Sequence, residues 1–201
     1  MTYMRWRPPT GWSPPDWNCQ YMGLQQLLIW IHKHRINPER RYKAIEIGSW
    51  RGESTHIFAS SGLFRGGITC IDSWEHTEEI GKYIVSQESM DHYKNDFEIN
   101  CRMFLEDNDF CNVDVIRGRS ENCHDYFEDN SVDFIYIDGD HSAESVERDI
   151  KNYMPKLKKG GILAGHDYHE KWWPGVVETV NRLLGEPDQI FEDSSWVKVV
   201  K

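Results

Sequence analysis

Two hydrophobic periods divide this chain. Leu24, Leu27, Leu28 and Ile31 recur at helical spacing, which predicts an amphipathic helix over Tyr21 to His34. From Lys43 onward, short β-rich runs alternate with helix signals. Strands are expected at 43–48, 67–71, 113–117, 132–137 and 161–166, and helices near 53–60, 122–127, 142–154 and 176–184. Such alternation implies a parallel sheet with helices on both faces. At the end of the chain, Asp188 to Phe191 and Trp196 to Val200 read as two strands around the turn-prone Glu192-Asp193-Ser194-Ser195. No crossover helix fits in that gap, so this pair is expected to be antiparallel. The predicted fold is therefore α/β, a doubly wound, mostly parallel seven-stranded sheet finished by an antiparallel C-terminal hairpin.

Two segments depart from the alternation. Residues 1–20 carry Trp6, Trp12 and Trp17 among Pro8, Pro9, Pro14 and Pro15, too proline-rich for a helix or strand and too aromatic for an inert tail. Between Trp74 and Phe110 lies a long polar insert punctuated by aromatics, expected to be mostly helical. It reads either as ordinary crossover structure or as part of a lid over a ligand. No internal repeat is visible.

Composition narrows the class of protein. Hydrophobic residues make up 39% and charged residues 28% of the 201 residues, as in a globular domain with one sizeable core. The net charge of −10 disfavours a nucleic-acid backbone as main partner, because phosphate binding needs a basic footprint. The five cysteines are odd in number and form no Cys-x-x-Cys pair, which disfavours a disulfide framework or a zinc cluster. The N-terminus has no apolar stretch suited to a signal peptide, and the longest apolar run, near Leu27 to Ile31, is too short to cross a bilayer. These features predict a cytoplasmic chain that binds neither membrane nor nucleic acid.

Candidate chemistry gathers at strand ends. The run Tyr42-Lys-Ala-Ile-Glu-Ile-Gly-Ser-Trp-Arg-Gly-Glu-Ser54 is a strand that ends in an acid, turns on Gly48 and Gly52 and enters a helix. A strand feeding a glycine turn and a helix N-terminus is how α/β proteins hold an adenosine-bearing cofactor. The spacing is not the Gly-x-Gly-x-x-Gly of dinucleotide enzymes, which disfavours a nicotinamide dehydrogenase. Asp72 ends the second strand 24 positions after Gly48. It could accept hydrogen bonds from both hydroxyls of a ribose, or simply cap a turn. Ser73 follows, and then Trp74, which suits either an adenine face or the core. Ser120, two residues after Gly118, is a candidate N-cap.

The densest segment is Val132-Asp-Phe-Ile-Tyr-Ile-Asp-Gly-Asp-His141, where an apolar strand ends in two acids and a histidine around a glycine. Carboxyl ends of parallel strands at the strand-order switch are where such sheets place ligands. Glu46, Gly48, Asp138 and His141 are thus expected to share one crevice. The next strand ends in His166 and Asp167. Asp138, His166 and Asp167 offer two carboxylates and an imidazole to a divalent cation; otherwise His166 and Asp167 only bind loop backbone.

Four segments together resemble the class I S-adenosylmethionine-dependent methyltransferases: Glu46 to Thr55, Ile71-Asp-Ser73, Ile137 to His141 and Gly160 to Tyr168. Within that class they are most similar to the small-molecule O-methyltransferases of the macrocin sugar type and, more distantly, the catechol type. The resemblance covers Lys43 to Lys201. It implies a Rossmann-like domain over 41–201, preceded by a Trp/Pro-rich arm and helix over 1–40. It also implies S-adenosylmethionine as cofactor, held by Glu46, Gly48, Ser49, Trp50, Gly52, Ser54, Asp72, Ser73, Trp74, Ser120 and Asp138. Asp138 and His141 are the implied catalytic pair, with His141 as general base because an imidazole pKa near neutral suits that task. The family's cation, Mg²⁺ or Mn²⁺, corresponds to Asp138, His166 and Asp167. Histidine in place of one acid departs from the family pattern, so metal-bound and metal-free sites both stay open. The expected partners are a small-molecule acceptor carrying a hydroxyl, such as a sugar, and a second copy of the chain in a homo-oligomer. A cofactor-binding subunit that supports a partner enzyme without turnover is the competing reading.

Overall fold

The computed structural model describes residues 17–35, 40–75, 77–80, 83–106 and 110–201. The proline- and tryptophan-rich arm of residues 1–16, with Trp6 and Trp12, lies outside them. Helix α1 spans Trp17–Arg35, strand β1 Ala44–Ile47, α2 Glu53–Ser60 and β2 Ile68–Asp72. A two-stranded antiparallel ribbon follows, β3 Thr77–Ile80 and β4 Tyr83–Val85, and then α3 Gln87–Leu105. The second half carries β5 Val113–Arg117, α4 Ser120–Cys123, β6 Val132–Ile137, α5 Ala143–Tyr153, β7 Leu157–Gly165, α6 Pro174–Leu184, β8 Gln189–Ile190 and β9 Trp196–Val199.

Seven strands form one sheet in the order β5-β2-β1-β6-β7-β9-β8. The first five are parallel, whereas β9 runs antiparallel to both β7 and β8. This is the Rossmann-like doubly wound layout with the expected C-terminal hairpin. β1 lies between β2 and β6, so the strand order reverses there and a crevice opens over the carboxyl ends of these strands.

Strand periodicity distributes the core between two faces. Phe134 and Tyr136 of β6 join α1, α2 and α3 through Leu24, Leu27, Phe58 and Phe97. Ile135 and Ile137 face the other way, onto Val146 and Ile150 of α5 and Val176 and Val180 of α6. Each such buried side chain contributes about 1.5–3 kcal/mol of transfer free energy. Because Leu24, Leu27 and Ile31 are buried in the first cluster, α1 is part of the domain core.

The structure corrects several expected boundaries. The 74–110 insert is not all helix, because β-favouring Thr77, Ile80 and Tyr83 to Val85 pair as a ribbon before α3 begins. Strand β7 starts at Leu157 rather than 161, extended by a register shift against β6 that Gly160, at φ +77°, accommodates. The helix expected at 122–127 starts earlier and splits into α4 and a 3₁₀ turn over His124–Tyr126. Arg119, not Ser120, is therefore the N-cap of α4. Pro174 opens α6, where its missing N–H costs nothing.

Candidate active site at the carboxyl edge of the sheet

Backbone hydrogen bonds lace the strand ends together. Gly48 N–H donates to Ile71 O (2.9 Å), Asp138 N–H to Ile47 O (2.8 Å), His166 N–H to Ile137 O (3.1 Å) and Gly118 N–H to Asp72 O (2.9 Å). Gly48 has φ +82°, and a β-carbon there would sit 2.0 Å from Asp138 O. The turn therefore requires glycine both for its dihedral and for the approach of the β6 backbone. Gly52, at φ +80°, serves a different neighbour: a β-carbon would meet Cys101 Sγ at 2.8 Å and Phe97 Cδ2 at 2.9 Å, both on α3.

Glu46 is the buried anchor of this turn. Its carboxylate accepts from Ser49 Oγ (2.8 Å), Ser54 Oγ (2.6 Å), Thr55 Oγ1 and Cys70 Sγ (3.3 Å). Burial raises its pKa, and these donors counter the rise. Glu46, Ser49 and Ser54 thus shape the loop from beneath. Trp50, at φ 42°, stays partly exposed and packs edge-on against Tyr93.

Asp72 accepts backbone N–H bonds from Trp50 on Oδ2 and Trp74 on Oδ1, both at 2.8 Å. Burial is the main reason its pKa is raised. Ser73 Oγ accepts from Glu75 N–H at 3.3 Å. Trp74 is fully buried, packs on Phe97 and donates its indole N–H to Trp50 O (2.8 Å), so its ring belongs to the core. Ser120 donates its hydroxyl to Asp149 Oδ1 at 2.6 Å. A groove of about 390 Å³ lies beyond Trp74, between α3 and Val115 of the edge strand β5, and holds none of the acids or histidines of the crevice.

At the other end of the crevice the acids and histidines converge. His141 Nε2 lies 2.7 Å from Asp167 Oδ2 and 4.0 Å from Asp138 Oδ1. His166 Nδ1 lies 3.2 Å from the same Asp167 oxygen and 3.9 Å from Asp138 Oδ1, and its Nε2 faces Asp193 Oδ2 at 3.9 Å. Asp167 holds φ 61°, an unusual dihedral for a non-glycine residue, which turns its carboxylate between the two imidazoles. The donor atoms of Asp138, His141 and Asp167 all lie within 4.8 Å of one another, which makes these three a candidate cation set with His141, not His166, as the nitrogen donor. The Trp173 ring lies against His141, with ring centroids 4.3 Å apart and the planes tilted by 31°.

Electrostatics revise the role expected of His141. Burial alone would lower its pKa, but the neighbouring Asp138 and Asp167 carboxylates outweigh that and raise it to about 10. His166 is likewise raised to about 9, with the Asp138 and Asp167 carboxylates overcoming burial. Asp167 moves the opposite way: burial opposes ionisation, yet bonds from His141 and His166 hold its pKa below the usual carboxylate range. Both imidazoles therefore carry their protons at neutral pH, and a near-neutral base is not what the unliganded cluster provides.

Besides Asp133 at the start of β6, three buried acids escaped the sequence reading. Asp193, within the C-terminal turn, binds Ser195 N–H and Oγ at 2.9 Å each and faces His166. Its only sequence signal was a turn-prone Asp-Ser pair. Asp149 is buried on α5 beneath Ser120, with its pKa pushed up to about 6 mainly by burial. Glu53, at the first position of α2, has Oε1 buried without a hydrogen-bond partner, and burial raises its pKa to about 7. An acid just after the second glycine of the loop was the available clue.

A family model described as a methyltransferase domain matches residues 45–168. The chain is 25% identical over 143 residues to an uncharacterised protein of Sinorhizobium fredii, covering 69% of this chain and 14% of that protein. It is 34% identical over 58 residues to an uncharacterised protein of Acanthamoeba polyphaga mimivirus, covering 28% of this chain and 26% of that one. The chain thus spans only a minor part of the length of either relative. Among solved structures, the O-methyltransferase NovP superposes with a TM-score of 0.59 at 16% identity over 89% of this chain and 78% of its own. A TDP-rhamnose 3′-O-methyltransferase of calicheamicin biosynthesis gives 0.58 at 16% identity over 90% and 80%. TomG of Streptomyces achromogenes, an O-methyltransferase of tomaymycin synthesis solved with S-adenosylmethionine, gives 0.56 at 12% identity over 89% and 79%. At these identities the likeness is one of fold. No helix of the described residues is long and apolar enough to cross a membrane.

Proposed function

Because the chain belongs to the methyltransferase-domain family, we propose that it transfers a methyl group from S-adenosylmethionine to a hydroxyl of a small molecule, with a sugar as the favoured acceptor. The observation that carries this reading is the meeting of His141, Asp138 and Asp167 beside the Gly48 turn, at the switch point of the sheet. Two features support the cofactor part of this reading: the Asp72 carboxylate stands at the end of β2 as a candidate ribose acceptor, and the glycine turn at Gly48 lets β1 and β6 close tightly beside it. The cofactor supplies a methyl group already activated by its sulfonium charge. What remains for the protein is to align the acceptor oxygen and take its proton.

His141 is the base in this reading, and Asp138 and Asp167 orient it. As the cluster stands, its pKa of about 10 means that it holds its proton at neutral pH. To serve as base it must lose part of the carboxylate interaction that stabilises the imidazolium. The donor set also fits a divalent cation that accepts nitrogen as well as oxygen, Mn²⁺ better than Mg²⁺. Asp138, His141 and Asp167 would hold it, and it would supply acidification of the acceptor hydroxyl. Such an ion competes with the His141 proton for the same two carboxylates.

The sugar class is supported by the aromatic surface beside the base. The Trp173 ring lies tilted against His141, and the adjacent Trp172 is 66% exposed. Aromatic faces at that place suit the C–H face of a sugar ring. The reading also draws on the neighbour that acts on TDP-rhamnose. The test is purified chain with methyl-labelled cofactor and a panel of nucleotide sugars and catechols, with and without chelator. Label transfer to an acceptor hydroxyl supports the reading. Tight cofactor binding with no transfer to any acceptor would instead favour the non-catalytic subunit.

A further inference from the structure

β5 stands at one edge of the sheet and, among the described residues, has β2 as its single strand neighbour. The outer side of such a strand is a ready template for a further strand. α3 packs beside it with Phe97, Cys101 and Phe104 turned into the core. The outward face of the same helix carries Ile99 at 57% exposure and Met103, one turn further on, at 55%. Val115 of β5 adds a third large apolar side chain at 40%, and the groove of about 390 Å³ runs between it and α3. Apolar side chains gathered along an open sheet edge mark an interaction surface.

The charges around the groove identify its occupant. Lys94, Glu98, Arg102 and Glu106 line it from successive turns of α3, and their signs alternate and cancel. Lys94 pairs with Glu98 within the helix. A ligand of one charge would meet as much repulsion as attraction there. An antiparallel copy of the same helix would not. Across a two-fold axis, positions equidistant from the axis meet. With the axis level with position 100, Glu98 faces Arg102 of the partner subunit and Lys94 faces Glu106 of the partner subunit, each pair occurring twice. Val115 is the β5 residue that lines the groove with this stretch of helix, so the same axis passes beside it. Antiparallel pairing of β5 about Val115 then sets Asp114 opposite Ile116 of the partner subunit and Val113 opposite Arg117 of the partner subunit. We propose that the chain forms a two-fold dimer across this edge, with β5 paired to β5 and α3 packed on α3 of a second copy. The net charge of −10 repels the two copies at long range, where salt screens it. The four groove charges of each copy cancel, and burial of Ile99, Met103 and Val115 drives the association.

Sedimentation equilibrium of the full chain over a range of concentrations gives the dissociation constant of the dimer. Glu98→Arg sets like charges together across the axis, and so does Arg102→Glu. Each is expected to weaken the dimer by about tenfold or more, since the repulsive contact occurs twice. The double variant exchanges the two charges and restores both pairs, so its dissociation constant should return to within about threefold of the wild-type value. Both side chains are exposed, so the core is untouched, and circular dichroism checks that each variant is folded. Glu98→Arg also removes the pair with Lys94 in its own helix; should that unfold the variant, Arg102→Glu against the double variant carries the same comparison. A chain that stays monomeric at every concentration overturns the proposal. A dimer that the single exchanges leave unchanged overturns it too, as does one weakened by a single exchange that the double exchange fails to restore.

Discussion

Replacing Glu46 separates two contributions that its burial combines. Three hydroxyls, those of Ser49, Ser54 and Thr55, donate to this one carboxylate, and all three residues are buried. Glu46→Ala leaves each hydroxyl without its acceptor, at roughly 1 kcal/mol or more apiece, and opens a cavity where the side chain was. Against this stands the relief of a buried carboxylate whose ionisation burial already opposes. The expected net loss is about 3–5 kcal/mol of folding stability. Glu46→Gln should cost far less. Its amide oxygen can take the Oε2 position, where Ser49, Thr55 and Cys70 converge, and its NH₂ meets Ser54, whose hydroxyl only has to turn from donor to acceptor. About 1 kcal/mol is expected for that variant. Urea unfolding followed by tryptophan fluorescence measures both, with an unchanged slope confirming that the midpoint shift reports stability. Equal losses in the two variants, or an Ala loss near 1 kcal/mol, would refute the view that Glu46 is held by its hydroxyl donors.

Other consequences are open to direct measurement. Gly48→Ala should destabilise the fold itself by about 2 kcal/mol or more, because the β-carbon would lie 2.0 Å from Asp138 O; a variant of wild-type stability that merely lost ligand affinity would show the turn to be more plastic than this. Asp72→Ala should weaken S-adenosylhomocysteine binding by about 1–3 kcal/mol, and calorimetry with unchanged affinity would remove the ribose assignment. His141 and His166 have folded pKa values raised to about 10 and 9 from 6.5, so their stabilising contribution is complete below pH 6.5 and is lost as pH rises through those values. Melting temperature should therefore fall between pH 6.5 and 10, and His141→Gln should flatten that fall. If a cation is needed, chelator abolishes transfer and Mn²⁺ restores it; full turnover in chelator together with loss on His141→Ala would leave His141 as a metal-free base.

The parallel strands were legible because their runs are apolar, short and bounded by glycine or charge. Ile68–Asp72, Val113–Arg117 and Val132–Ile137 lie within a residue of their predicted spans. β7 was not legible at its start, because Lys158, Lys159 and Gly160 interrupt the apolar run before the register shift that lets Leu157 pair with Val132. The ribbon β3–β4 was missed since its strands of four and three residues are too short to outweigh a long helical segment. The acids and histidines of the site could be read because carboxyl ends of parallel strands follow directly from the alternation. Their partners could not, since Asp193 reaches His166 from 27 positions away along the chain, across the antiparallel hairpin. Gly52 shows the same limit. Its place in the glycine turn was predictable, but the α3 side chains that a β-carbon there would meet were not.

The charge pattern of the cluster bears on how the site must operate. Asp138, Asp167 and Asp193 face two imidazoles within one buried corner, and an unpaired carboxylate there would be costly. Protonated His141 and His166 already offset most of that negative charge, which the raised pKa values express. A metal ion is therefore not needed to make the acids tolerable; it must displace a proton to enter. The same protons keep His141 from acting as a base at neutral pH until something else engages Asp138 or Asp167. An acceptor hydroxyl donating to one of those carboxylates would weaken their hold on the His141 proton and bring its pKa down toward the working range. The site's basicity is in this way tied to its occupancy, so proton transfer becomes favourable only once the crevice holds what it is to react with.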